Sequence, residues 1–284
     1  MPDTPTGHSE TSKSPRTCFL IGHPIGHSLS PVIHSAAYEA VGLNWHYAVM
    51  DVLEADLDAV LSGIDGERVV GVNVTIPHKQ AVYQRLDALT ETAKAVGAVN
   101  TVYRQDGKLI GDNTDVAGFA APLQELTDVN WSTKTALILV AGCAASAVSH
   151  ALTQVIELAE VTVAARREAT ARAIPNVTVG SWEQRATAAQ SADLIVNTTP
   201  VGMHPDENAS PLPEGTTLAP HQIVYDLIYA PERTRLLDQA ESTGARTIGG
   251  LPMLIGQAAA AFRIWTGHEM PTETVKQALQ DYRA

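Results

Sequence analysis

The sequence predicts a two-unit α/β protein. An N-terminal unit has a mixed, mainly parallel sheet, a second unit has a doubly wound parallel sheet, and C-terminal helices pack back on the first unit. Three observations lead there. Short β-branched runs alternate with helical patterns along most of the chain, as right-handed crossovers between parallel strands require. At 284 residues the chain is long enough for two cores. The last two helical patterns, 253–265 and 273–282, have no strand after them and need an earlier sheet to cover.

The elements follow in order. Residues 17–21 form a short apolar strand, and 31–41 a helix with Pro31 in its first turn and Gly42 at its end. A strand at 45–50 and a helix at 53–61 lead to the β-branched strand 69–76, which stops at Pro77 and hands over to a helix-like segment at 80–89. Helix formers at 90–96 precede a hairpin, 98–103 with 108–111, turning on Asp106-Gly107. A helix at 115–125 then carries the chain to the second unit. There, strands at 136–140, 161–164, 177–179, 193–197 and 223–227, with a sixth at 247–248, alternate with helical stretches, the first a small-residue helix reaching 158. The expected division is a tail at 1–16, one unit at 17–115 plus 253–284, and a second at 116–252.

Composition narrows the class. The chain is 45% hydrophobic and 18% charged with net charge −12, against the basic patches that nucleic-acid binding requires. It has no apolar run long enough to span a bilayer, so no membrane partner is expected. Residues 1–16 are rich in Thr, Ser and Pro without an apolar stretch, as in a disordered tail and unlike a signal peptide. Cys18 and Cys143 are too few and too far apart for a disulfide framework or a zinc site, and no metal is expected. A cytoplasmic enzyme acting on a small molecule, as a monomer or homodimer, is the class that remains.

The strand 136–140 and the small-residue turn after it have the layout of a dinucleotide-binding βα unit, whose glycines give a tight turn and close approach to pyrophosphate. The three glycine positions fall on Val140, Gly142 and Ala145, so only the middle one is glycine. Val140 resists a positive φ, and a frame one or two residues later, or a plain strand-to-helix turn, fits the same residues. At the end of the next strand, Ala165-Arg166-Arg167 stands where a carboxylate would select NAD. Guanidinium groups there suit the 2′-phosphate of NADP, and a solvated basic turn has the same composition.

Four polar clusters lie outside that unit. Ser28 and Ser30 flank a helix start, where free amides and hydroxyls make an anion site; for Ser30 taken alone, simple N-capping is the better account. Asn73 and Thr75 share one face of a strand otherwise made of Val and Ile, ahead of Lys79. The others are Asn100-Thr101 and Gly111-Asp112-Asn113-Thr114-Asp115. Lys79 and Asp115 form a candidate pair for passing a proton to an alkoxide, or a structural ion pair.

In these motifs the chain resembles the shikimate dehydrogenases. The resemblance runs from about residue 17 to the C-terminal helices. It rests on Gly-x-Pro-Ile-x-His-Ser-x-Ser-Pro at 22–31, Asn-Val-Thr-Ile-Pro-x-Lys at 73–79, Gly-Ala-Val-Asn-Thr at 97–101, Asn-Thr-Asp at 113–115, Tyr-Asp-Leu-x-Tyr-x-Pro at 225–231 and Met-Leu-x-x-Gln-Ala at 253–258. It implies NADPH-dependent, reversible reduction of 3-dehydroshikimate to shikimate, a step of aromatic amino-acid biosynthesis. It further implies a Rossmann-type NADP unit between the two parts of a substrate unit. Ser28 and Ser30 would hold the substrate carboxylate. Asn73, Thr75, Asn100, Asp115, Tyr229 and Gln257 would contact the ring hydroxyls or carboxylate, and Lys79 would be the acid–base residue with Asp115. Cofactor contacts would come from Val140, Ala141, Gly142, Cys143 and Ala144, from Ala165, Arg166 and Arg167, and from Thr198, Leu227 and Gly250. The chain departs from the family at the glycine turn, at Ala165 and Arg167 of the phosphate loop, and at Ser146, where an arginine is usual. Two further readings are a quinate/shikimate dehydrogenase using NAD, against which Ser30 and Arg166 stand, and a shikimate-binding protein whose altered turn no longer holds cofactor. The related folate dehydrogenases lack the Ser-x-Ser signature.

Overall fold

The computed structural model describes residues 15–26, 28–140 and 144–283. Two six-stranded sheets organise them. The first contains β1 (Arg16–Gly22), β2 (Trp45–Asp51), β3 (Val69–Val74), β4 (Ala88–Leu89), β5 (Thr101–Gln105) and β6 (Lys108–Asp112), in the order β2-β1-β3-β5-β6-β4. β5 runs antiparallel to both its neighbours, and every other pairing is parallel. The second contains β7 (Thr135–Val140), β8 (Glu160–Ala165), β9 (Thr178–Ser181), β10 (Leu194–Asn197), β11 (Ile223–Asp226) and β12 (Arg246–Ile248), all parallel, in the order β12-β11-β10-β7-β8-β9. That is the doubly wound order whose direction reverses between the first and fourth strands, here β7 and β10.

The C-terminal helices Gly250–Thr266 and Thr272–Arg283 cover one face of the first sheet, as the sequence predicts. Phe262, Trp265, Val275 and Leu279 pack there with Ile33 and Tyr38 of the helix Ser30–Ala40. Ile21, Leu57, Ile64 and Val72 fill the other face. The helix Asp115–Gln124 joins the units: it starts beside the first sheet, and its Phe119 stacks on Tyr225 of β11 with ring centroids 4.8 Å apart.

This helix crosses Gly250–Thr266 glycine against glycine. A Cβ on Gly118 would lie 2.5 Å from the Gln257 backbone nitrogen, and one on Gly256 would lie 2.9 Å from the Gly118 Cα. No larger residue fits the crossing without moving a helix.

The structure corrects several expected boundaries. β3 ends at Val74: Thr75 N makes the last rung of the ladder to the Ile21 carbonyl, and the chain then turns, with the His78 amide bonding back to the Thr75 carbonyl. The helix expected over 80–89 is one short turn, Lys79–Tyr83, and Ala88–Leu89 pairs with β6 as an edge strand. The hairpin strand expected from 98 begins at Thr101. The helix expected from 253 starts at Gly250. The expected tail and the turn residues Ala141, Gly142 and Cys143 lie outside the described residues, apart from the tail's last two.

Candidate active site

Strand direction brings the polar clusters to one sheet edge. β1 and β3 are parallel neighbours, with Ile21 opposite Val74, so the loops leaving them open on the same side. β5 runs the other way and β6 back again, with Thr101 opposite both Asn73 and Asp112. The start of β5 and the end of β6 therefore meet the end of β3. Asn100, Asp115, Lys79 and the Ser28–Ser30 segment converge there.

The local chain fixes each group. After β3, the His78 amide bonds the Thr75 carbonyl, and buried His78 Nε2 lies 2.6 Å from the Val52 carbonyl. This turn delivers Lys79 to the start of its short helix, where the Lys79 carbonyl accepts from Val99 N at 3.0 Å. Lys79 Nζ donates to Asp115 Oδ2 at 2.6 Å, with both side chains largely enclosed. Asn100 Nδ2 donates to the other carboxylate oxygen at 2.8 Å. Asn100 Oδ1 accepts from the Thr114 amide at 2.7 Å and from the Thr101 hydroxyl at 3.0 Å. A buried carboxylate with a partner on each oxygen is held in one orientation.

Asn73 is buried, and its side chain is engaged within the protein: Nδ2 donates to the Asn100 carbonyl and Thr101 Oγ1, and Oδ1 accepts from Tyr47 at 2.8 Å. Thr75 is half-buried at the start of the turn. Ser30 is the first residue of its helix, is buried, and makes no side-chain cap; Ser28 Oγ accepts from the Ser30 amide at 3.2 Å instead. The capping explanation for Ser30 is thereby removed.

Tyr229 follows β11 and is half-buried, and burial raises its phenol above the ordinary value. Gln257 lies on the C-terminal helix one residue past the glycine crossing; its Nε2 donates to Leu254 O at 2.8 Å. The crossing holds Gln257 within a turn of the helix that Asp115 begins. A cavity of about 1520 Å³ runs along these helices past Thr114, Tyr229 and Gly250, and Lys79 and Asp115 do not line it.

On the second sheet, Val140 is a regular strand residue paired with Ala165 and buried. It is not among the residues with positive φ, and the turn residues that follow it lie outside the described residues. Ala144 opens the following helix, Ala144–His150. Arg166 and Arg167 are exposed at the end of β8 and make no ion pair among the described residues. Thr198 turns its hydroxyl back to the Leu139 carbonyl at 2.9 Å, tying the end of β10 to β7 at the switch point. Leu227 N bonds the Asn197 carbonyl at 3.1 Å. A Cβ on Gly250 would lie 2.2 Å from the Leu227 carbonyl oxygen, so the loop after β11 and the start of the C-terminal helix touch backbone to backbone. These features suit a dinucleotide lying across the carboxyl ends of β7 and β10, with a phosphate at the two free guanidinium groups.

Some organising residues escaped the sequence reading. Thr101 and Thr114 lie inside quoted motifs but were not singled out, and both are buried links in the network around Asn100. Asp226 and Asn197 bond each other at 2.9 Å, and Asp226 also accepts from Ile228 N and the Thr234 hydroxyl. Burial pushes the Asp226 carboxyl up to about 6 against those three bonds. Asp226 lies inside the quoted motif at 225–231, but an acid or amide at a strand end does not show from sequence which buried donors it gathers. No cluster of metal-ligating side chains occurs among the described residues, and none of their helices is long and apolar enough to cross a membrane.

Two family models match the chain: the shikimate dehydrogenase substrate binding domain over residues 20–102 and the shikimate 5′-dehydrogenase C-terminal domain over 250–280. The shikimate dehydrogenase (NADP(+)) of Salinibacter ruber is 42% identical over 272 residues, covering 92% of this chain and 95% of the relative. That of Synechocystis is 43% identical, covering 92% and 93%. Among solved structures, shikimate 5-dehydrogenase from Thermus thermophilus in complex with NADP(H) and shikimate superposes with a TM-score of 0.84 at 36% identity, covering 94% of this chain and 99% of that one. With the Lys79–Asp115–Asn100 network and the reversed strand order already in place, this near-complete coverage shows that the chain belongs to the shikimate dehydrogenase family.

Proposed function

We propose that this protein is an NADP-dependent shikimate dehydrogenase, reducing 3-dehydroshikimate to shikimate reversibly in aromatic amino-acid biosynthesis, in the cytoplasm. The observation that carries the reading is the enclosed pair of Lys79 and Asp115 at 2.6 Å, braced by Asn100. In this reading residues 17–115 and 253–284 hold the substrate, and 116–252 hold the cofactor. Ser28 and Ser30 receive the substrate carboxylate at the helix start, and Thr75, Tyr229 and Gln257 orient the ring. Arg166 and Arg167 take the 2′-phosphate, and Leu227 and Gly250 line the end of the cofactor site next to the substrate. NADPH, when bound there, supplies the hydride.

The protein's own part in the chemistry is proton handling and placement. Lys79 Nζ delivers a proton to the carbonyl oxygen as that oxygen becomes an alkoxide, and takes it back in the reverse direction. Asp115 fixes the direction of the Nζ group and balances its charge, so the lysine needs no reorganisation when the oxygen gains charge. Asn100 keeps the carboxylate from turning away. Near neutrality, shikimate added with NADP+ should give steady formation of NADPH. Absence of turnover at millimolar concentrations of both would overturn the proposal, and faster turnover with NAD+ would favour the quinate/shikimate type.

A further inference from the structure

Tyr47 belongs to none of the motifs that carry the family resemblance, and no step above uses it. It is the inward-facing residue of edge strand β2, and only 2% of it is exposed. Its ring lies flat on His34, with centroids 4.2 Å apart and planes within 2°. That stack fixes where the phenol oxygen points. The oxygen donates to Asn73 Oδ1 at 2.8 Å, and the Ser30 hydroxyl lies against the same oxygen.

The Asn73 amide has two possible orientations, related by a half-turn. In the one present, Nδ2 donates to the Asn100 carbonyl at 3.1 Å and to Thr101 Oγ1 at 3.0 Å. The reverse would set carbonyl oxygen against carbonyl oxygen. Thr101 Oγ1, receiving one proton, donates its own to Asn100 Oδ1 at 3.0 Å. That leaves Asn100 Nδ2 free for Asp115 Oδ1 at 2.8 Å, and Asp115 Oδ2 for Lys79. The links from Tyr47 to Asn100 are buried, so water does not compete for them.

We propose that Tyr47 is a positioning residue: its phenol fixes the Asn73 amide, and through Asn100 that amide sets the geometry of the Asp115–Lys79 pair. The inference rests on Lys79 and Asp115 being the catalytic pair. In it, Asn73 serves as a brace behind the substrate site, its polar atoms being already engaged.

The test is a double-mutant cycle on the full chain, read as shikimate-dependent NADP+ reduction. Tyr47→Phe keeps the ring on His34 and leaves Asn73 Oδ1 buried without a donor. We expect kcat to fall about tenfold with KM for NADP+ unchanged, the size expected for one unsatisfied buried acceptor. Asn73→Leu should lose at least as much, and the double variant should be no slower than Asn73→Leu alone. Losses that multiply would overturn the proposal, as would a Tyr47→Phe enzyme with normal kcat. 4-Aminophenylalanine at position 47 keeps a donor and should restore kcat to within about twofold of the parent. If Tyr47→Phe fails to fold, this variant decides alone: one as slow as Asn73→Leu overturns the proposal. Parent protein without turnover would remove the functional reading, and this inference with it. Normal kcat in Lys79→Ala would remove the catalytic pair on which the inference depends.

Discussion

The two sides of the proposed cleft are built differently. On the first sheet, Tyr47, Asn73, Thr101, Asn100, Thr114, Asp115 and Lys79 are joined by side-chain hydrogen bonds into one network. On the second sheet, the groups expected to meet the cofactor are backbone edges and two exposed guanidinium groups with no partner among the described residues. A small substrate has little surface with which to organise a site, so order there has to come from the protein. A dinucleotide is large and charged, and the protein needs only an open strand edge and cations within reach. The contrast predicts that changes on the substrate side act on turnover and changes on the cofactor side act on affinity.

The largest expected effect comes from the centre of the network. Lys79→Ala should lower kcat by about 10² or more while shikimate still binds by calorimetry. Turnover that survives would make Lys79 structural and dissolve the contrast. The cofactor side has one organised piece of its own, Asp226 with Asn197 and Thr234, which ties the loops after β10 and β11. Burial raises this carboxyl to about 6, so the fold favours its protonated form. Its stabilising contribution is full below the ordinary aspartate value and is lost as pH rises through about 6. Asp226→Asn should remove that dependence. The stability difference between parent and variant in urea melts should change by roughly 2 to 3 kcal/mol between about pH 3 and pH 7. A flat difference would show that the three donated bonds hold the carboxylate ionised.

The joint between the sides is next. Gly118→Ala puts a methyl 2.5 Å from the Gln257 nitrogen and 2.7 Å from the Met253 carbonyl. Both are backbone atoms of one helix, so the helices must separate at a cost of about 1 to 3 kcal/mol in thermal or urea melts. Asp115 and Gln257, which sit on the two helices, should shift apart, raising KM for shikimate more than KM for NADP+. Equal changes in both would place the joint outside the site.

How far the sequence foretells this arrangement differs between the two sides for a physical reason. Strand and helix alternation is a local pattern, so both sheets and the docking of the C-terminal helices are legible from the chain. Lys79, Asn100 and Asp115 stand out because polar residues in or beside β-branched runs need partners. Tyr47 does not: in the strand pattern it is one more inward aromatic, and only the three-dimensional pairing of β2 with β1 and of β1 with β3 brings its phenol to Asn73. The segment 80–89 misleads because Ala, Val and Leu satisfy a helix pattern locally, while the free edge of β6 captures Ala88 and Leu89. Val140 reads as an impaired turn because the glycine frame was counted from the strand end; in the fold it is simply the last paired residue of β7.

The smallest effect tests the cofactor side of the contrast directly. Arg166 and Arg167 stand at the end of β8, one strand from the switch point, with exposed guanidinium groups. A group that only attracts phosphate should act on the phosphorylated cofactor and leave the chemistry alone. Arg166→Ala should raise KM for NADP+ about tenfold, the value of one charge-assisted contact at an exposed position, with kcat and KM for NAD+ unchanged. Arg167→Ala should give a smaller shift in the same direction if the two share the phosphate. Because the site is open to solvent, the parent's preference for NADP+ over NAD+ should narrow as salt rises, and the Arg166→Ala preference should change less. Loss of kcat in Arg166→Ala, or equal losses with both cofactors, would mean that this edge is coupled to the proton network, and that the division between an organised substrate side and an open cofactor side does not hold.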